Sequence, residues 1–158
     1  ISINMSLLEF QNDQIVSTLK NVLTETQIDP SCLKLELTER IIASDVAKTA
    51  QVLGKIRDLG IQIYIDDFGT GFSSLSYLKD FPLDGLKIDK SLIRDVDREP
   101  KGQLIVRAII ELAHSLHLSV VAEGIETVHQ FDFLREQHCD LFQGFYLGRP
   151  VPPDQLYG

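Results

Sequence analysis

Apolar and polar residues trade places every second position along several short stretches of the chain. In Ile1–Ser6, Ile1, Ile3 and Met5 alternate with Ser2, Asn4 and Ser6. Cys32–Leu37 (CLKLEL) alternates in the same way, and Ile61–Ile65 (IQIYI) is rich in β-branched residues. Leu86–Ile88 is a short apolar piece after a loop with Pro82 and Gly85, and Leu118–Ala122 and Leu141–Phe145 complete the series. A period of two with β-branched enrichment predicts strands at these six places. The spacing between them is helical. Ile15, Leu19, Val22 and Leu23 share one face, with Asp13 as a candidate cap. Val46, Val52, Leu53, Ile56 and Leu59 share another, with Ser44 as a candidate N-cap and Gly60 as a stop. Leu104, Ile105, Ala108, Ile109, Leu112 and Leu116 form a third face, and Thr127 opens a fourth through Val128, Phe131 and Leu134. Ser73–Asp80 predicts a shorter helix after a Gly-rich loop, and Asp95–Gly102 (DVDREPKG) reads as a solvated loop.

Strand and helix in alternation predict parallel βα units, hence an α/β fold. Six strands suit a doubly wound sheet. They equally suit a (β/α)₈ barrel that lacks two of its units. Periodicity leaves both open.

Composition narrows the class. With 158 residues, 44% hydrophobic and 24% charged, the chain has the size and balance of one ordinary globular domain. No apolar stretch approaches the roughly 18 residues of a membrane span. The first residues lack a signal peptide's basic n-region and an initiator Met, so the expectation is a piece of a longer protein. The 15 Lys+Arg against 23 Asp+Glu leave a net charge of −8, with no basic stripe of the kind that neutralises nucleic-acid phosphates. An anionic ligand would need a bound divalent cation to hold it. Cys32 and Cys139 are far apart and without metal or redox spacing, so two buried free thiols of a cytosolic protein are expected. His114 and His117 belong to a polar helix face, and His129 and His138 lack metal spacing.

The polar residues near the strand ends carry the chemistry. Asn4, Glu36 and Glu39, Asp66 and Asp67, Lys87 and Asp89, Glu123 and Glu126, and Gln143 each sit at or after an apolar run. In parallel α/β folds the carboxyl ends of the strands form the ligand-binding mouth, so these residues should converge. Asn4, Glu36, Asp66, Asp67 and Glu123 together make an all-oxygen anionic site. Its mutual repulsion is relieved by a hard ion such as Mg²⁺ or Mn²⁺. Adjacent Asp66 and Asp67 suggest two ions, about 3.5–4 Å apart, which suits in-line displacement at phosphorus. Lys87 then serves as a cation beside the attacking water or the developing phosphate charge.

These motifs resemble the EAL domain family of cyclic di-GMP phosphodiesterases. The matching words are NMS at Asn4–Ser6, ELTE at Glu36–Glu39, DDFGTGFSSLSYLK at Asp66–Lys79, LKIDKS at Leu86–Ser91, VAEGIET at Val121–Thr127 and QGFYLGRP at Gln143–Pro150. They run in family order over essentially the whole chain. The resemblance implies a modified TIM barrel, here with about six of its eight βα units, so that residues 1–158 are the C-terminal portion of a single phosphodiesterase domain. It implies hydrolysis of cyclic di-GMP to linear pGpG with two Mg²⁺ or Mn²⁺ ions. Asn4, Glu36, Asp66, Asp67 and Glu123 look like metal ligands, and Lys87, Glu123 and Asp67 like the catalytic set. Gln143 and Asp89 look like substrate-site residues. Glu39 looks like the anchor of the loop after Asp67, through which a homodimer is expected. A cytoplasmic location follows, with no nucleic-acid partner. The namesake Glu-Ala-Leu does not occur in the chain; the family places that metal-ligating glutamate upstream of NMS, with a phosphate-contacting arginine nearby. Glu9 stands where many relatives have Gln, and Phe72 and Ile125 replace common Tyr and Val. The alternatives are an inactive EAL domain that senses cyclic di-GMP and a protein-interaction module. Both are disfavoured by the intact acidic cluster.

Overall fold

Six strands, β1 (Ser2–Met5), β2 (Lys34–Thr38), β3 (Gln62–Phe68), β4 (Gly85–Ile88), β5 (Ser119–Ala122) and β6 (Leu141–Phe142), pair in parallel and in chain order in the computed structural model. The structure describes residues 1–12, 14–42, 45–71 and 75–155. The helices are α1 (Leu7–Gln11), α2 (Ile15–Thr26), α3 (Glu39–Ile42), α4 (Val46–Asp58), α5 (Leu75–Asp80), α6 (Lys90–Asp95), α7 (Pro100–Ser115) and α8 (Val128–Glu136).

The strand order settles the choice that periodicity left open. A doubly wound sheet reverses its order at a switch point, whereas here the sequence β1-β2-β3-β4-β5-β6 never reverses. Right-handed crossovers between consecutive parallel strands place every connecting helix on the same face. That is the arrangement of a TIM-like barrel, incomplete here. Among the described residues β1 and β6 stand at opposite ends of the sheet and do not pair with each other.

Strand pleating then divides the residues between the two faces. Leu35, Leu37, Ile63, Ile65, Leu86, Ile88, Val120 and Ala122 are all buried at 2% exposure or less and belong to one apolar core. Leu53 and Ile56 of α4, Val106 and Ile110 of α7 and Leu134 of α8 fill the same core from the helices. The alternate residues, Glu36, Tyr64, Asp66, Lys87, Val121 and Glu123, face the opposite, concave side.

Local chemistry sets the helix ends. Ser6 and Glu9 form a capping box on α1, which gives Glu9 a structural use: its carboxylate accepts from Ser6 N at 2.9 Å while Glu9 N donates to Ser6 Oγ at 3.3 Å. Thr127 opens α8 as expected, and with Gln130 it forms a second capping box. Gly60 ends the α4 region with φ +88°, where a left-handed conformation favours glycine. Candidate caps Asp13 and Ser44, and the start of the Ser73–Asp80 segment, lie outside the described residues; α4 is capped by Asp45, which accepts from Lys48 N at 3.1 Å.

Three expectations need correction. Asp95–Gly102 is only partly a loop, because α7 starts at Pro100, whose fixed φ and missing N–H suit a first helical position, and Gly102 is buried. The short helices α1, α3 and α6 carry no periodic signal and are not among the predicted helices. The thiols also differ: Cys139 is buried, while Cys32 is exposed at the end of a 3-10 turn that precedes β2. The last strand is shorter than Leu141–Phe145 and ends at Phe142.

Thr127 holds more than its own helix, since its Oγ1 accepts from Gln130 N at 3.1 Å and donates to Asp97 at 2.9 Å. Thr127→Ala should therefore cost about 1–2 kcal/mol of stability. A urea unfolding curve with an unchanged midpoint would show that the cap and the tie to Asp97 are energetically idle.

Candidate active site

The concave face carries two polar layers. In the lower one, Tyr64 Oη and Ser119 Oγ lie 2.8 Å apart, and the Lys34 ammonium sits 4.6 Å from the centre of the Tyr64 ring. Gly85 makes room for this packing: a Cβ at that position would come within 2.4 Å of Tyr64 Cε1 and 2.7 Å of the Ser119 carbonyl oxygen. The sequence alone does not mark Tyr64, Gly85 and Ser119 as site residues. Their one legible signal was a polar or missing side chain at inward-facing parity.

The upper layer is built around Lys87. Its ammonium donates to Glu36 Oε2 at 2.6 Å and lies 2.6 Å from Glu123 Oε1 and 3.2 Å from Asp66 Oδ1. Four strands or strand ends thus meet at one nitrogen: β2 through Glu36, β3 through Asp66, β4 through Lys87, and the end of β5 through Glu123. Lys87 and Glu36 are each only 6% exposed. Burial works against the ammonium, but the hydrogen bonds to Glu123 and Glu36 and the neighbouring negative charges outweigh it, so Lys87 stays charged well above its ordinary range.

Asp67 joins from the rim. Asp66, Asp67 and Glu123 each offer a carboxylate oxygen, and these oxygens lie within 4.8 Å of one another. Asp67 adopts φ +53°, and its N–H donates to Asp66 Oδ1 at 3.0 Å. Burial, then the charges of Asp66 and Asp89, push the Asp67 carboxyl above its ordinary value; burial likewise raises Glu123 despite its bond to Lys87. Asn4 stands in register beside Glu36 on β1 and is exposed.

The other anticipated residues frame this centre. Glu39, the first residue of α3, accepts from Gly69 N at 2.9 Å and so ties that helix to the loop after Asp67. Residues 72–74 of that loop lie outside the described residues. Asp89 caps α6 by accepting from Ser91 N at 2.9 Å. Gln143 follows β6, bonds its N–H to the Ala122 carbonyl at 2.9 Å, and lines a cavity of about 290 Å³ with Glu123, Lys90, Glu126 and Phe145.

Chemically, the donor set is all oxygen and strongly anionic. Glu36, Asp66 and Glu123 present three carboxylates to one ammonium, and Asp67 adds a fourth at the rim. Such a set fits hard divalent cations, which take carboxylate ligands and offset the remaining negative charge.

Comparison with known proteins places this geometry. A family model described as EAL domain matches residues 1–150. The signaling protein YkoW of Bacillus subtilis is 46% identical over 156 residues, 99% of this chain and 20% of its own length. MucR of Pseudomonas aeruginosa, a bifunctional diguanylate cyclase/cyclic di-GMP phosphodiesterase, is 42% identical over 156 residues, 99% of this chain and 23% of its length. The solved MucR phosphodiesterase in complex with c-di-GMP superposes with a TM-score of 0.95 at 42% identity, covering 99% of this chain and 63% of that one. Klebsiella pneumoniae BlrP1, solved with manganese and cyclic di-GMP, gives a TM-score of 0.87 at 32% identity over 95% of this chain and 38% of that one. The chain spans about a fifth of the length of the curated relatives.

The raised carboxyls give a pH signature in metal-free buffer. A carboxyl whose folded pKa exceeds its ordinary value, 3.8 for Asp67 and 4.5 for Glu123, favours the protonated folded state. Its ionisation therefore weakens folding as the pH rises from those values through the folded ones. Asp67→Asn keeps a residue that tolerates positive φ and removes the charge. With chelator present it should melt higher than the parent at pH 7, and the gap should close at pH 3. A lower melting temperature for Asp67→Asn at pH 7 would overturn this account of the rim.

Proposed function

The chain belongs to the EAL domain family, and from that premise we propose that it is the C-terminal portion, residues 1–158, of one phosphodiesterase domain that hydrolyses cyclic di-GMP to linear pGpG. The observation that carries this reading is the cluster of Asp66, Asp67 and Glu123 oxygens within 4.8 Å at the carboxyl ends of parallel strands, beside a buried lysine. The substrate class rests on the relatives named for cyclic di-GMP.

In this reading Asn4, Glu36, Asp66, Asp67 and Glu123 would hold two Mg²⁺ or Mn²⁺ ions, whose chemistry would be to offset phosphate charge and make a water more acidic. Asp67 and Glu123 orient the attacking water and accept its proton. Lys87 keeps a fixed positive charge beside the oxygen that attacks and the phosphate charge that grows as the bond to the leaving 3′ oxygen breaks. Gln143 contacts the substrate from the cavity wall, and Asp89 supports that wall through its cap on α6. Glu39 anchors the loop after Asp67, through which two copies of the protein associate. The protein works in the cytoplasm, in keeping with two free cysteines. No helix among the described residues is long and apolar enough to cross a membrane.

Hydrolysis of cyclic di-GMP, followed as pGpG formation in the parent protein with saturating Mn²⁺, tests this assignment. Asp66→Ala should abolish turnover while leaving the circular dichroism spectrum intact, because it removes a ligand and no core packing. Lys87→Ala should lower kcat by roughly 10²-fold or more with KM changed only a few fold, the mark of a charge that acts in the transition state. Undiminished turnover of Asp66→Ala, or an effect of Lys87→Ala confined to KM, would sink the corresponding role.

A further inference from the structure

Beside the acidic centre lies a cavity of the opposite sign. It holds about 370 Å³ and is lined by Lys90, Ser91, Arg94, Gly124, Glu126 and Gln130. Lys90, Gly124 and Glu126 also line the cavity that contains Glu123 and Gln143, so the two adjoin. Two cations face one carboxylate in the larger cavity, a formal charge of +1 in a chain of net charge −8. Lys90 and Arg94 stand four residues apart on α6 and so share one of its faces. Among the described residues neither forms an ion pair. The base of Lys90 is fixed by Gly124, at φ +67°, where a Cβ would come within 2.4 Å of Lys90 Cβ.

Gln130 is the second observation that points to a ligand. It is only 3% exposed. Its Oε1 accepts from Glu126 N at 2.8 Å and from Thr127 N at 3.2 Å. Two N–H groups facing that oxygen fix the amide, because turning it over would set donors against donors. Nε2, with two N–H donors, is the polar group left for the cavity, and among the described residues it has no hydrogen-bond partner. A buried donor left unmet is costly, and a ligand oxygen would meet it. Ser91 already gives its hydroxyl proton to Asp89. The donors open to a ligand are therefore the Lys90 ammonium, the Arg94 guanidinium and the Gln130 amide, a set suited to phosphate oxygens. Glu126 limits the charge such a ligand can carry, and the formal +1 matches a phosphodiester, which bears one negative charge. We propose that this cavity is a phosphodiester subsite, in which Lys90, Arg94 and Gln130 Nε2 hold the second phosphate of the cyclic dinucleotide while the first lies at the acidic centre. The choice of ligand rests on the phosphodiesterase reading above. The subsite makes the protein select a molecule with two phosphates over a diester with one.

The test compares kcat/KM of the parent protein, in saturating Mn²⁺, on cyclic di-GMP and on bis(4-nitrophenyl) phosphate, a diester with a single phosphate. Arg94→Met and Lys90→Met keep an unbranched stem and lose the charge. Each should lower kcat/KM for cyclic di-GMP roughly tenfold, through KM, and leave the single diester unchanged. Arg94→Lys should recover part of the loss. Arg107→Met removes an exposed cation of α7 that lines neither cavity, and should alter neither substrate. Unchanged kinetics on cyclic di-GMP, an equal loss on both substrates, or a loss reproduced by Arg107→Met would overturn the subsite. Calorimetry with cyclic di-GMP separates this proposal from the reading beneath it. If the parent binds the dinucleotide without cleaving it, the phosphodiesterase reading fails, and the subsite stands only if Arg94→Met binds more weakly. A parent that neither binds nor cleaves it overturns both.

Discussion

One ammonium placed among carboxylates on the inner face of a parallel sheet governs the rest of this structure. A charge as buried as Lys87 must be paired, and so must the equally buried Glu36. The pairing also draws in Asp66 and Glu123, so one nitrogen links four neighbouring strands or strand ends. Such a cluster contributes little net stability compared with an apolar core, and removing one partner is costly because the others are left exposed to their mutual repulsion. Three carboxylates against one ammonium, with Asp67 beside them, leave the site short of positive charge. That deficit suits the cluster to a divalent cation, in a chain whose net charge of −8 carries no basic stripe of its own.

The fold supplies the geometry. Chain-order parallel pairing puts all connecting helices on one face, so the opposite face is free to be polar. Leu35 and Leu37 flank Glu36, and Leu86 and Ile88 flank Lys87, at 1% exposure or less. The polar pair is therefore held from behind by side chains with nowhere to move. Tyr64 and Ser119 form the floor, and Gly85 is the position at which the sheet gives up a side chain so that the floor can close. The result is a cluster whose carboxylates are positioned by strands, while Asp67 and Gln143, which face the solvent, sit where the strands end.

Much of this was legible in the sequence because pleating converts a period of two directly into a face. The alternation in CLKLEL puts Leu35 and Leu37 on one face and Glu36 on the other, and in the structure the two leucines are in the core while Glu36 pairs with Lys87. Long helices with a strong apolar stripe, such as α7, were equally plain. What failed to show was short or locally determined. The α6 helix is six residues long and buries only Ile93 completely, too little for a periodic signal. The start of α7 at Pro100 was hidden inside a charged run that resembles a loop. Residue type alone predicts a buried Cys32, yet it sits in the exposed turn that precedes β2, where chain direction and not hydrophobicity decides. The lower polar layer went unseen because Tyr64 and Ser119 are ordinary strand residues until their partners across the sheet are known.

The paired acids Asp66 and Asp67 show where pattern and geometry part. In a regular strand adjacent side chains point to opposite faces, so two consecutive aspartates on one strand should not serve the same site. They do so here because the ladder between β3 and β4 shifts its register between Ile65 and Phe68, and Asp67 leaves the extended region for φ +53°. That backbone turn rotates its carboxylate back towards Asp66 and Glu123, and the Asp67 N–H bond to Asp66 Oδ1 secures it. Aspartate is among the few residues other than glycine that enter this region readily. The second acid therefore fits both as a carboxylate and as a backbone element, and a glutamate at the same place would satisfy only the first requirement.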